Sequence, residues 1–138
     1  MQRGFSVLCL LITLTGCTEN YTHDANLAAR RAVEFAEIAF VTHDHEKGYL
    51  LLADKARAYV PLEKFKEKVA AIHPNGFPTK VMAIGAVPIQ GEQIVQVTLR
   101  GEGGGRQFDY ALTVVGTAQA DYRVTIFNGR AIPLLPSG

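Results

Sequence analysis

The sequence predicts an α+β fold in which three N-terminal helices pack on one face of a curved four-stranded antiparallel sheet. Two observations carry this prediction. Apolar residues recur at three and four positions between residues 25 and 72, and from Thr79 onward the period changes to two. The links between the alternating runs are short and rich in glycine, which joins neighbouring strands antiparallel. Helices first and strands after is the order of an α+β domain. At 138 residues, 48% hydrophobic and 20% charged, the chain has the size and composition of one globular domain, which excludes a disordered chain or a fibrous repeat. A formal net charge of +1 lacks the basic surplus of a nucleic-acid binder.

Residues 1–16 read as a signal peptide rather than as part of the fold. A short basic start at Arg3 precedes an apolar run from Phe5 to Leu14, which is too short for a span of about 20 residues. The run closes on Leu14-Thr15-Gly16-Cys17, which resembles the bacterial lipobox, with cleavage between Gly16 and Cys17 and a lipid on the Cys17 sulfur. That resemblance implies a lipid-anchored protein of the cell envelope. Thr18, where Asp would retain the protein in the inner membrane, implies the outer membrane, facing the periplasm. Cleavage removes Arg3 and no acid, leaving 13 basic and 13 acidic side chains. It also discards Cys9, so with Cys17 lipidated the domain holds no disulfide and no thiol ligand.

Residues 17–23 are expected to be a lipidated tether and 24–130 the domain. Asp24 is placed to cap a long helix over 25–42, with Ala28, Ala32, Phe35, Ala36, Ala39, Phe40 and His43 on one face. Arg30 and Glu34 lie opposite, spaced to pair. Asp44 is placed to cap a second helix over 45–53, with Tyr49, Leu52 and Ala53 inward. Residues 54–60 are ambiguous between a loop and one more turn. Pro61 suits the first position of a third helix carrying Leu62, Phe65, Val69 and Ile72, and His73-Pro74-Asn75-Gly76 ends it. Strands follow at 79–87, 93–100, 106–115 and 122–127, and residues 131–138 form an extended or frayed tail.

Phe35–Phe40 leading into Thr42-His43-Asp44, then Tyr49-Leu50-Leu51-Leu52, then Pro61-Leu62-Glu63-Lys64-Phe65, resembles the nuclear-transport-factor-2-like (cystatin-like) superfamily over residues 25–130. The chain looks most like small bacterial lipoproteins of that group. The resemblance implies a cone whose sheet curls around the long helix. Its members include isomerases and dehydratases, ligand binders and dimeric adaptors, so fold alone selects no function.

The candidate chemistry is sparse. In such a cone His43, Phe35, Ala39 and Tyr110 would line a cavity, with His43, Tyr110 and Tyr49 as candidate acid/base groups and Tyr122 as a further hydroxyl. Asp109 and Tyr110 fall on opposite faces of one strand and cannot share a pocket. His43-Asp44-His45-Glu46 straddles a helix junction, with a spacing that splays its side chains, so no metal is expected. His73 at the end of the third helix reads as a partly charged imidazole serving exposed carbonyls. Gly101 to Gly105 enters a strand rather than a helix and reads as a hairpin, not a phosphate loop. No cofactor is expected. The expected function is a non-catalytic, lipid-anchored envelope protein that binds a small apolar ligand or a protein partner through the cone. The alternatives are an isomerase- or dehydratase-like enzyme, and a homodimeric structural module with a filled cone.

Overall fold

The computed structural model describes residues 21–133, so Gly16, Cys17, most of the tether and residues 134–138 lie outside the described residues. Helix α1 spans Ala25–Ala36, and the Asp24 carboxylate accepts from the Leu27 amide at 3.0 Å, as a capping residue should. The helix then loosens into a π-helical turn, Glu37–Val41. One extra residue in the turn lets the neighbours Ala39 and Phe40 both reach the core. The turn closes with the Thr42 amide donating to Glu37 O and the Asp44 amide to Ile38 O, while His43 takes a left-handed φ of 58°. The expected single α-helix over 25–42 is therefore α-helical for two thirds of its length and ends before His43.

Helix α2 spans His45–Leu50, with the Asp44 side chain accepting from the Lys47 amide at 3.1 Å. It stops short of the expected Ala53, because Leu52 pairs with Val124 in a short parallel bridge and the Ala53 amide donates to Val124 O at 2.8 Å. Asp54–Tyr59 then forms a separate helix, α3, so the described residues hold four α-helices where three were expected. Helix α4 spans Leu62–Ala71, and Pro61 stands one position outside it. The expected Arg30–Glu34 pair is replaced by Arg31, which bridges Glu34 at 3.1 Å and Asp121 at 2.8 Å.

The sheet is a meander in the order β1 (Lys80–Pro88), β2 (Ile94–Gly103), β3 (Arg106–Thr117), β4 (Asp121–Pro133), antiparallel throughout and not closed into a barrel. Register shifts at Ala83/Gly85 and Thr113/Val114 bend it around the helices. Gly104 and Gly105, both at positive φ, form a tight two-residue hairpin. Strand β4 continues well past the expected Phe127, through an Asn128-Gly129 pair that reads as turn chemistry in sequence. The structure uses Gly129 differently: it lies opposite Tyr110, and a Cβ there would fall 2.5 Å from the Tyr110 ring. The core fills the space between helices and sheet, with Phe35 against Phe40, Phe65 and Phe127 at centroid separations of 5.4–6.1 Å.

Candidate functional site

The expected cavity residues part company. Phe35 and Ala39 are fully buried and Tyr110 is 1% exposed, all within one packed aromatic and aliphatic core. His43 leaves the helix face altogether: it is exposed, with its ring 4.2 Å from that of Phe77. The left-handed turn after the π segment is what swings it out. Phe35, Ala39 and His43 line none of the five most pronounced hollows among the described residues. Tyr49, half-buried, donates its hydroxyl to Val60 O at 2.6 Å and also lies 3.1 Å from Arg57 O. It holds the end of α3 and faces no pocket with Tyr110.

The buried histidine is His73, not His43. Its Nδ1 lies 2.6 Å from Val69 O and its Nε2 2.7 Å from the Tyr110 hydroxyl. A carbonyl only accepts, so Nδ1 carries the proton and Nε2 receives the Tyr110 O–H. Phe40 and Phe77 cover the imidazole at 4.9 and 4.6 Å between centroids. Burial lowers the His73 pKa, partly opposed by the Val69 carbonyl and reinforced by nearby His43. Burial also pushes the Tyr110 phenol up. The expected charged imidazole serving helix carbonyls is thus a neutral one serving a single carbonyl and a phenol. Both groups are spent on each other and sealed from solvent. Sequence held the signal for this: His73 falls four residues after Val69 and eight after Phe65, on the same apolar face of α4.

A second histidine, His23, organises the start of the domain. The Asp24 amide donates to the Tyr122 hydroxyl at 2.9 Å, whose oxygen is also 2.9 Å from His23 Nδ1; His23 Nε2 lies 2.7 Å from Glu92 O. The Glu92 carbonyl fixes the proton on Nε2, so the bonds run in one direction from Asp24 through Tyr122 and His23 to Glu92. The Ala118 amide adds a bond to Thr22 O at 2.9 Å. Residues 22 and 23, which the sequence reads as tether, are therefore clamped with Asp24 across the β1–β2 and β3–β4 turns.

The surface that remains open is the outer face of the sheet, away from the helices. Alternation along the strands places Met82, Thr98, Arg100, Asp109, Ala111, Thr113, Ile126, Asn128 and Arg130 there. Met82, Ile84, Val87 and Ile126 are 47–62% exposed on this face. Toward the hairpin end of this face runs one charged row in register, Met82, Arg100, Asp109, Arg130. Arg100 Nε stands 3.9 Å from the Asp109 carboxylate, too far for a hydrogen bond, and is itself buried without a partner. Asp109 accepts from Gln107 at 3.2 Å, and no ion pair of Arg130 is found among the described residues. A shallow hollow of about 460 Å³ lies over Ile84, Thr98, Arg100, Asp109, Ala111, Asn128 and Arg130, with Tyr110 and Gly129 in the strands beneath it. Its surface is mostly apolar, and its one carboxylate, Asp109, lies beside Arg100 and accepts from Gln107.

Among the described residues no three His, Cys, Asp or Glu side chains gather as a metal site, and no helix is long and apolar enough to cross a membrane. No protein-family model matches the chain, and no curated protein is significantly similar to it.

Proposed function

We propose that this chain is a lipid-anchored bacterial envelope protein whose nuclear-transport-factor-2-like domain is an association module, using the outer face of its sheet to bind a second copy of itself. The observation that carries the reading is the contrast between a core closed around Phe35, Ala39 and Tyr110 and an outer sheet face that leaves Met82, Ile84, Val87 and Ile126 in water. A half-exposed aliphatic sheet face is a surface that gains by being covered. Four strands about 4.8 Å apart and about ten residues long give a footprint of about 600 Å². That approaches the roughly 800 Å² per partner of an ordinary specific interface.

Support for anchoring comes from the sequence: Leu14-Thr15-Gly16-Cys17, after a basic start and an apolar run, resembles the lipobox, which implies a lipid on Cys17 and, with Thr18 following, a place at the outer membrane. Acyl chains supply a hold that a balanced surface charge does not. An acid/base role has little to draw on, since His43 lies outside the core, Tyr49 holds α3 and Tyr110 is committed to His73.

Native mass spectrometry of the full chain, purified from a bacterial host, tests the reading in one spectrum. The expected species is a dimer of chains beginning at Cys17 with added acyl mass and no small molecule. A monomer overturns the association, and a monomer carrying a small ligand restores the ligand-binding reading.

A further inference from the structure

We infer that the N-terminal clamp stands the domain upright on the membrane, so that two copies meet outer face to outer face with their two-fold axis along the strands and both tethers at the same end. This rests on the proposed anchoring and self-association and adds their geometry. The clamp of His23, Tyr122 and Glu92 fixes residues 22–24 at the end of the sheet that carries the β1–β2 and β3–β4 turns. Only Thr18, Glu19 and Asn20 separate Cys17 from Tyr21. Four Cα–Cα steps reach at most about 14 Å. The turn end of the sheet therefore sits close over the headgroups, while the Gly104-Gly105 hairpin points away from them. The outer face is then presented sideways, to neighbours in the same membrane.

The charged row selects the same arrangement independently. A two-fold axis along the strands, midway between β2 and β3, sets each strand opposite its mirror position: β2 faces β3 of the second copy, and β1 faces β4. Arg100 then meets Asp109 of the other copy, Asp109 meets Arg100, and Arg130 extends its aliphatic stem over Met82. The Arg100–Asp109 pair, loose within one chain at 3.9 Å, gains a second partner across the interface. A two-fold axis perpendicular to the strands does not achieve this. Through the charged row it stacks Arg on Arg and Asp on Asp. Through the next row, Thr98 and Ala111, it sets the charges against Gln96, Thr113 and Ile126.

The test is a dipolar distance between nitroxides on the Gln119→Cys variant of the full, lipid-bearing chain in dodecyl maltoside micelles, with the unsubstituted chain as baseline. Gln119 is exposed at the turn end. Two turn ends side by side place the labels about 20–30 Å apart, whereas an axis perpendicular to the strands separates them by about 50 Å. A short distance is the expected result. A peak near 50 Å overturns the upright arrangement while leaving self-association standing, and no dipolar modulation at all overturns both. Arg100→Glu with Asp109→Arg supplies the second reading: each single change is expected to lose the dipolar signal, and the double exchange to recover it at the same distance. Equal signals in all four chains would remove the charged row from the interface.

Discussion

The Tyr110 hydroxyl donates to His73 Nε2 at 2.7 Å inside the core, joining the end of α4 to the middle of β3. The pair is a polar connection between helix layer and sheet within the aromatic cluster of Phe40, Phe77 and Phe108. Both side chains are buried, and although Tyr110 borders the hollow on the outer face of the sheet, its hydroxyl points to the helix side and is taken by His73.

Removing the donor leaves the acceptor stranded. Tyr110→Phe keeps the ring packing against Phe40 and Phe108 but strips His73 Nε2 of its partner, at a cost of about 1–3 kcal/mol. Urea denaturation of the variant is expected to show a lower midpoint with an unchanged slope. An unchanged midpoint would mean that the imidazole finds another donor.

Acid should weaken the fold through His73. Its folded pKa lies below the value of about 6.5 expected in the unfolded chain. As the pH falls through that value the unfolded chain takes up the proton first, so stability is complete above about pH 6.5 and declines below it. His73→Gln is expected to flatten that part of a stability–pH curve, after allowance for its own lower baseline. Equal slopes in the two proteins would place the acid sensitivity elsewhere.

Gly129 is where the Tyr110 ring needs room. With a Cβ 2.5 Å from one ring carbon and 2.7 Å from the next, Gly129→Ala forces the ring off its bond to His73. The expected loss is about 1–3 kcal/mol, as for other overpacked cores. Gly91→Ala, in a turn with open space around it, is the comparison for backbone strain alone at its positive φ. A Gly129→Ala protein no less stable than the wild type would show that the ring yields without cost.

The N-terminal clamp opens without unfolding the domain. Tyr122→Phe deletes the hydroxyl that serves both the Asp24 amide and His23. Hydrogen exchange at the Asp24 and Ala118 amides is expected to accelerate while amides in the middle of β3 keep their protection. Uniform acceleration would mark Tyr122 as a core residue first.

The capping of α1 and α2 by Asp24 and Asp44, the change of period at Thr79 and the four-strand meander were all legible in the sequence, because each is set by neighbours within a few residues. The site was less so. Strict helical spacing carries His43 onto the apolar face of α1, but the π turn at Glu37–Val41 shifts the phase and the left-handed His43 ends the face early. A one-residue change in winding leaves no mark in composition. His73 was readable from its spacing to Phe65 and Val69, yet the prolines and glycine that follow drew it into the helix end. The clamp at His23 depends on Tyr122 and Glu92, 99 and 69 residues away, and no local pattern announces such a contact.

Sedimentation equilibrium over a hundredfold concentration range tests the central claim, association through the outer sheet face, most directly. Ala111 is exposed at the centre of that face, far from the His73–Tyr110 pair in the core, so Ala111→Arg disturbs the surface without entering the core. The wild-type chain is expected to sediment as a dimer and the Ala111→Arg variant, with unaltered urea midpoint, as a monomer. A wild type that stays monomeric throughout, or an Ala111→Arg variant that dimerises as well as the wild type, would contradict the account.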